Sequence, residues 1–259
     1  MAETAERAAL GSAPPALAEL RRVAIVPALN EEATLPRVID ELRAFDPGLD
    51  VVVVDDGSVD RTAEVAAAKG ARVLRLPFNL GIGGAVQTGF RFAFENGYDL
   101  AVRVDGDGQH EPAQLGAVLE PVLRGDADIA VGSRFAAAEG DGYRSSRSRR
   151  IGIRILAGVV SRIVGQRVTD TTSGFQALNR RGIALFARDY PHDYPEVEAT
   201  VMVFRHRLRL VEVPVAMRER GGGRSSITSL RSIYYMVKVL LALFVGLFRR
   251  PDPPEEVQP

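Results

Sequence analysis

The chain has 259 residues with 33 Lys and Arg against 33 Asp and Glu, and this zero formal net charge argues against general nucleic-acid binding. It is 46% hydrophobic and 25% charged, enough to bury the core of one large α/β domain plus an appendage. It has no Cys, which excludes disulfides and thiolate metal sites and fits a reducing cytosol.

Residues 1–20 are rich in Ala and Glu, include Pro14-Pro15 and lack the basic start and apolar stretch of a signal peptide, so a flexible tail or a loosely attached helix is expected. From Arg22 to Val131, strand and helix patterns alternate. Val23 to Val26 is a short apolar run. Leu35, Val38, Ile39 and Leu42 then recur at helical spacing within Glu32 to Arg43. Pro47-Gly48 breaks the chain before a second strand, Val51 to Val54. A helix follows from Asp60 to Lys69, with Asp60 as its N-cap and Gly70 as its stop. Strands at Arg72 to Leu76, Leu100 to Val104 and Ile129 to Val131 alternate with helices at Gly83 to Asn96 and Pro112 to Arg124. This order predicts a mostly parallel sheet with right-handed crossovers.

Beyond Gly132 the pattern is less regular. Arg144, Arg147, Arg149, Arg150 and Arg154 crowd one Ser-rich segment with no intervening acid, either a loop or a helix start. Ile151 to Val164 has amphipathic helical spacing, Val168-Thr169 reads as strand-like, and Val197 to Phe204 and Leu208 to Val215 are further apolar segments. Gly221-Gly222-Gly223 reads as a hinge. Ile233 to Phe248 is apolar except for Lys238 and Gly246; at about 1.5 Å per residue it spans roughly 24 Å. A bilayer crossing needs about 20 residues, so a helix lying in the interface or dipping into one leaflet fits better, with Arg249-Arg250 beside anionic headgroups. Residues 251–259 are rich in Pro and Glu and read as disordered.

The chemistry concentrates in Asp105-Gly106-Asp107-Gly108-Gln109-His110, which leaves the end of a short buried strand. Two carboxylates two residues apart suit a hard cation such as Mg2+ or Mn2+. The glycines between them allow a tight turn and close approach to a ligand. A second acidic turn, Asp55-Asp56-Gly57-Ser58, ends the run Val51 to Val54. Ligands of open α/β sheets bind outside the carboxyl ends of the strands, so the two turns point to one site for a metal and a phosphorylated ligand. Gly81-Ile82-Gly83 after a strand invites a dinucleotide-binding reading, but Val86 stands where the third glycine belongs and no acid is well placed about 20 residues on.

Val26-Pro27-Ala28-Leu29-Asn30-Glu31-Glu32 and Asp55-Asp56-Gly57-Ser58-Val59-Asp60-Arg61-Thr62 resemble the opening signatures of family-two glycosyltransferases. Asn79 to Ala85, Asp105 to His110, Gly132-Ser133-Arg134 and Asp170 to Phe175 continue the series, which is most similar to the dolichyl- and polyprenyl-phosphate sugar transferases. The resemblance covers roughly residues 22–235. It implies a GT-A fold over residues 21–218, then a hinge and membrane-associated helix over 219–250. It further implies a nucleotide-sugar donor of the GDP-mannose or UDP-glucose type and a divalent cation. The sugar carbon would be inverted, and the acceptor would be polyprenyl phosphate at the cytoplasmic face of a membrane.

By that resemblance Asp107, with Asp105 and Gln109, holds Mg2+ or Mn2+ against the donor diphosphate. Asp56 contacts the nucleobase or ribose, Asp55 supports its loop, and Pro27, Leu29 and Glu31 line the nucleotide pocket. Gly83 lies in a loop where backbone approaches the donor or the neighbouring acidic turn. Arg134 clamps a phosphate by paired hydrogen bonds or forms a salt bridge with a site carboxylate. Arg147 and Arg150 are candidates for the acceptor phosphate, as are Arg218 and Ser225 around the glycine hinge. Asp170 positions acceptor or sugar when the acceptor is a phosphate, which is already an anion at neutral pH; a sugar hydroxyl would make it the base. A structural role is the alternative reading of Asp170. His110 either touches the metal or diphosphate or caps the helix after Pro112. Two other functions stay open: transfer to a soluble or glycan hydroxyl, and a non-catalytic nucleotide-sugar binding subunit.

Overall fold

A computed structural model describes residues 19–136, 147–192, 195–218, 238, 239 and 241. Strands β1 (Arg22–Ala28), β2 (Asp50–Asp55), β3 (Arg72–Arg75), β4 (Leu100–Arg103) and β5 (Ile129–Ser133) alternate with helices α1 (Leu35–Phe45), α2 (Thr62–Ala68), α3 (Gly81–Glu95) and α4 (Leu115–Leu123). After them come α5 (Arg147–Val164), β6 (Gln176–Asn179), α6 (Arg180–Arg188), α7 (Pro195–Arg205) and β7 (Leu210–Pro214). Pro36 sits in the first turn of α1, where a missing N–H leaves no bond unmade. Gly70 stops α2 with a positive φ of 71°.

The strands form one sheet in the order β3-β2-β1-β4-β6-β5-β7. All neighbours are parallel except β6, which runs antiparallel to both β4 and β5. Side chains alternate across each strand, and both faces of the sheet are covered. Ala24, Val26, Val51 and Val53 pack with Leu35, Ile39, Leu115 and Val118 of α1 and α4. Val23, Ile25, Val52 and Val54 pack with Val86, Phe90, Ile183 and Phe186 of α3 and α6. Two-sided burial explains why β1 and β2 are continuous apolar runs rather than alternating ones. A third, smaller cluster joins Leu156 and Val160 of α5, Val197 and Val201 of α7, Val168 and Val239.

Several expectations change in detail. Pro112 opens a 3-10 turn over Pro112–Gln114 that runs into α4. Val168-Thr169 is not a strand; the Thr169 and Asp170 amides go to the Glu212 side chain instead of a ladder. Val197 to Phe204 is helical, in α7, and Leu208 to Val215 contains β7. The basic segment begins a helix at Arg147. Of the apolar run at 233–248, Lys238, Val239 and Leu241 are described; Val239 is buried and Leu241 exposed. Among the described residues, no helix is long and apolar enough to cross a membrane. The tails at 1–18 and 251–259, Arg144 and the glycine hinge with Ser225 lie outside the described residues.

Candidate active site

Strand register brings the two acidic turns to one place. β1 and β2 end level, with Ala28 opposite Asp55. β4 stops earlier, but its chain keeps bonding to β1: Val104 N–H donates to the Ile25 carbonyl at 3.1 Å and Gly106 N–H to the Pro27 carbonyl at 3.3 Å. On the other flank Asp56 N–H donates to the Ala28 carbonyl at 2.9 Å. The acidic turns thus lie on either side of the carboxyl end of β1. Gly106 is closely packed there, since a Cβ would lie 3.2 Å from the Pro27 carbonyl oxygen.

Asp107 is buried, and its carboxylate is oriented by Gln109, whose backbone N–H donates to Oδ1 at 3.0 Å and whose side-chain amide donates to Oδ2. Asp105 is more open, with 31% of its side chain exposed. Its N–H donates to His110 Nδ1 at 3.0 Å, so a neutral His110 carries its proton on Nε2, 3.7 Å from Asp105 Oδ2. Burial lowers the His110 pKa, and the pull of Asp105 and Asp107 in the other direction does not overcome it. The ring stacks on Phe175 with centroids 5.0 Å apart. His110 therefore ties the acidic turn together and does not cap the helix after Pro112.

Among the described residues, no three His, Cys, Asp or Glu side chains gather to hold a metal by themselves. Asp105 and Asp107 nonetheless fit a hard cation, because Mg2+ and its like are commonly held by one or two carboxylates with substrate phosphates completing the shell.

The loops after β1 and β2 brace one another. Asn30 and Ser58–Val59 exchange two hydrogen bonds, Asn30 N–H to Ser58 Oγ and Val59 N–H to Asn30 Oδ1, each 2.9 Å. Glu31 N–H donates to Thr62 Oγ1, and its carboxylate accepts from Thr34 Oγ1, both at 2.8 Å. Asp60 accepts from Thr62 N–H at 3.0 Å, but the N-cap of α2 is Arg61, with no side-chain cap bond, so Asp60 lies one residue ahead of the cap rather than in the cap position the sequence suggested. Asp55 is spent within this framework, accepting Ser58 N–H at 3.0 Å with the Arg75 guanidinium 3.5 Å away. Asp56 accepts Leu80 N–H at 2.7 Å; burial raises its pKa, and the amides of Leu80 and Gly81 offset this only in part. Leu29 is exposed at 40% beside these loops. Gly83 lies buried in α3, where a Cβ would meet the Pro191 carbonyl oxygen at 2.4 Å, so its close approach is to the 191–192 backbone.

Across the sheet, at the end of β5, Arg134 and Asp170 form a paired ion bridge. Arg134 Nε donates to Oδ2 at 2.7 Å and an NH2 group to Oδ1 at 2.8 Å. Asp170 side-chain atoms are fully out of solvent, and those of Arg134 are 6% exposed. Burial alone would raise the Asp170 pKa, but the Arg134 guanidinium and the amides of Arg134 and Thr172 outweigh it and hold the carboxyl below its ordinary value. Glu212 of β7 fixes this turn from behind, accepting Asp170 N–H at 2.7 Å and Thr169 Oγ1 at 2.8 Å.

Arg218 joins a different part of the structure. Its guanidinium donates to Glu41 at 2.7 and 2.9 Å and to Glu111 at 2.9 Å, while its N–H donates to the Gln109 carbonyl at 2.9 Å. It thereby fastens the chain after β7 to the acidic turn. Arg147 and Arg150 lie in the first turn of α5.

Sequence reasoning passed over Arg103, Tyr190, Glu196 and Glu212. Arg103 did carry a signal: it is a charge inside the apolar run of β4, where buried residues are seldom charged.

Residues 23–185 match glycosyl transferase family 2. The chain belongs to that family. Its sheet, with strands flanked by helices and two acidic turns at one end, is the GT-A-like fold of these enzymes. The glycosyltransferase is 36% identical over 218 residues to an undecaprenyl-phosphate mannosyltransferase of Micrococcus luteus, covering 81% of this chain and 88% of that one. It is 32% identical over 229 residues to a polyprenol monophosphomannose synthase of Mycolicibacterium smegmatis, covering 85% of each. Among solved structures it is similar to glucosyl-3-phosphoglycerate synthase from Mycobacterium tuberculosis in complex with Mn2+, uridine diphosphate and glucosyl-3-phosphoglycerate. That match has a TM-score of 0.70 at 25% identity and covers 92% of this chain and 83% of the other. Family membership sets aside the non-catalytic subunit.

Proposed function

We propose that this glycosyltransferase moves a hexose, mannose or glucose, from a nucleoside diphosphate sugar to polyprenyl phosphate, inverting the anomeric carbon. The observation that carries the reading is the likeness, over most of both chains, to transferases named for undecaprenyl phosphate and polyprenol phosphate. The site chemistry supports it. A carboxylate held below its ordinary pKa is a weak base, and Asp170 is such a group. A lipid phosphate monoester is already ionised at neutral pH and needs no base.

In this reading the loops after β1 and β2 hold the nucleoside, with Asp56 at base or ribose and Pro27, Leu29 and Glu31 around it. Asp105 and Asp107 would hold Mg2+ or Mn2+ beside the diphosphate, and the cation would supply positive charge against the leaving group. Asp170 fixes the plane of Arg134, and that guanidinium meets the acceptor phosphate. A phosphate oxygen attacks the anomeric carbon from the face opposite the diphosphate; the new C–O bond forms as the old one breaks, and the nucleoside diphosphate departs. The enzyme then works at the cytoplasmic face of a membrane, with residues 219–250 as its lipid-facing part.

A second reading draws on the structural likeness to an enzyme named for glucosyl-3-phosphoglycerate. There the acceptor is a soluble hydroxyl and Asp170 must take a proton, which its lowered pKa disfavours. A radiolabel assay separates the two. Labelled GDP-mannose and UDP-glucose are offered with Mg2+ or Mn2+ to membranes containing polyprenyl phosphate. Label in an organic-extractable, acid-labile product is expected and names the donor. Soluble product without lipid label would favour the second reading.

A further inference from the structure

We propose that Arg103 is a positioning residue that sets the Asp105 carboxylate for the donor nucleotide and its cation. This rests on the reading of Asp105 and Asp107 as the diphosphate end of the donor site. Arg103 closes β4, two residues before Asp105, and only 1% of it is exposed. A strand covered on both faces ordinarily carries apolar side chains there. A Leu or Met would fill the space without the desolvation of a charge. What only a cation supplies is a fixed positive group beside the acidic turn.

The contacts show how that group is fixed. One guanidinium nitrogen donates to Tyr190 Oη at 3.1 Å. The other donates to Glu196 Oε1 at 2.9 Å and reaches Asp105 Oδ1 at 3.4 Å. The shorter bond makes Glu196, in the first turn of α7, the anchor, and the longer one makes Asp105 the guided partner. Asp105 stays 31% exposed, whereas Arg103 is 1% exposed. Space for the pair comes from Gly174. A Cβ there would lie 2.8 Å from the Arg103 nitrogen, 2.9 Å from its Cζ and 3.0 Å from Asp105 Oδ1. Arg103 thus ties the acidic turn to α7 and lies close against Gly174 in the turn before β6, and it limits where the Asp105 carboxylate can point.

The test is a double-mutant cycle on binding rather than turnover. Mn2+-dependent binding of UDP and of GDP is measured by calorimetry on the full chain, for Arg103→Met and Arg103→Lys, each with Asp105 and with Asp105→Asn. Groups that orient a metal ligand are worth about 10–100-fold in affinity. We expect Arg103→Met to weaken binding by that order when Asp105 is present and by far less beside Asp105→Asn, with Arg103→Lys recovering part of the loss. Equal losses in both backgrounds would mark a general packing effect and overturn the proposal, as would no loss in either. Should Arg103→Met fail to fold, Glu196→Gln removes the charge that anchors the guanidinium. It must then weaken binding only where Asp105 is intact, and otherwise the proposal falls. A wild-type enzyme that binds neither UDP nor GDP with Mn2+ would remove the donor-site reading itself, and this inference with it. Wild-type binding that is unmoved by any of these variants removes the inference alone.

Discussion

Asp170 has the most buried carboxylate of the site, and its partners decide its state. A group whose pKa is lowered on folding adds stability that is complete above its unfolded value, about 3.9 for Asp, and lost as pH falls through the folded value. Asp170 is lowered, so its contribution is present at neutral pH and disappears in acid. Removing one partner of a buried pair costs about 3–5 kcal/mol, because the other charge stays behind without compensation. Asp170→Asn should therefore destabilise the protein by about 3 kcal/mol at pH 7, and the gap to wild type should narrow below about pH 4. Urea melts at pH 7 and pH 3 measure both. A gap of equal size at the two values would show that the ion pair is not its source. The same variant should lose transfer activity, since Arg134 would no longer be held in its plane.

Elements place these residues, and their legibility varied for physical reasons. β1 to β5 and their helices could be read because short apolar runs and helical spacing are local signals, and the acidic turns stood out because charges follow directly on buried strands. β6 could not be read. It is four residues, Gln176–Asn179, with no β-branched side chain and no alternation, and it exists because β4 and β5 pair with it from opposite sides. α6 left a weak trace in Asn179, whose side chain accepts the N–H groups of Arg181 and Gly182 at 3.0 and 3.1 Å. The partners of Arg103 were hidden because Tyr190 and Glu196 lie 87 and 93 residues away in sequence. The glycine of the second acidic turn shows what an element boundary demands. Gly57 has φ +76°, and a Cβ on it would meet the backbone of Asn79 and Phe78 at 2.8 and 2.9 Å. Gly125, before β5, has φ +74° and nothing within 4 Å. Gly125→Ala should cost about 1–2 kcal/mol, the penalty of a side chain in the left-handed region, and leave nucleotide binding unchanged. Gly57→Ala carries the same penalty plus a backbone clash that pushes away the loop bonded to Asp56. It should be the less stable of the two by thermal melting and should also weaken UDP or GDP binding. Similar behaviour of both variants would show that the close approach at Gly57 is unimportant.

At the scale of the whole molecule, two clusters cover the faces of the sheet, and the third stands apart among α5, α7 and the C-terminal run. Val239 is fully buried in it with Leu156, Val160, Val197 and Val201, whereas Leu241 is 60% exposed and Ile155 of α5 is 53% exposed. Among the described residues of the C-terminal run, Val239 packs against α5 and α7 and Leu241 shows apolar surface. A charge in the place of Val239 would lose its solvation without a partner, a penalty large enough to expel the segment. This cluster meets the second only through α7, where Phe204 packs against both, so Val239→Asp should release the run while the sheet survives. Thermal melting should then fall by only a few degrees, on the scale of about 2–4 °C per kcal/mol for a domain of this size. Limited proteolysis after Arg218 should become faster. If residues 219–250 bring the enzyme to its lipid, Val239→Asp should also impair use of polyprenyl phosphate in membranes more than it impairs Mn2+-dependent UDP or GDP binding. A loss of nucleotide binding equal to the loss of lipid use would mean that the third cluster supports the donor site itself, and that the C-terminal run has no separate task at the membrane.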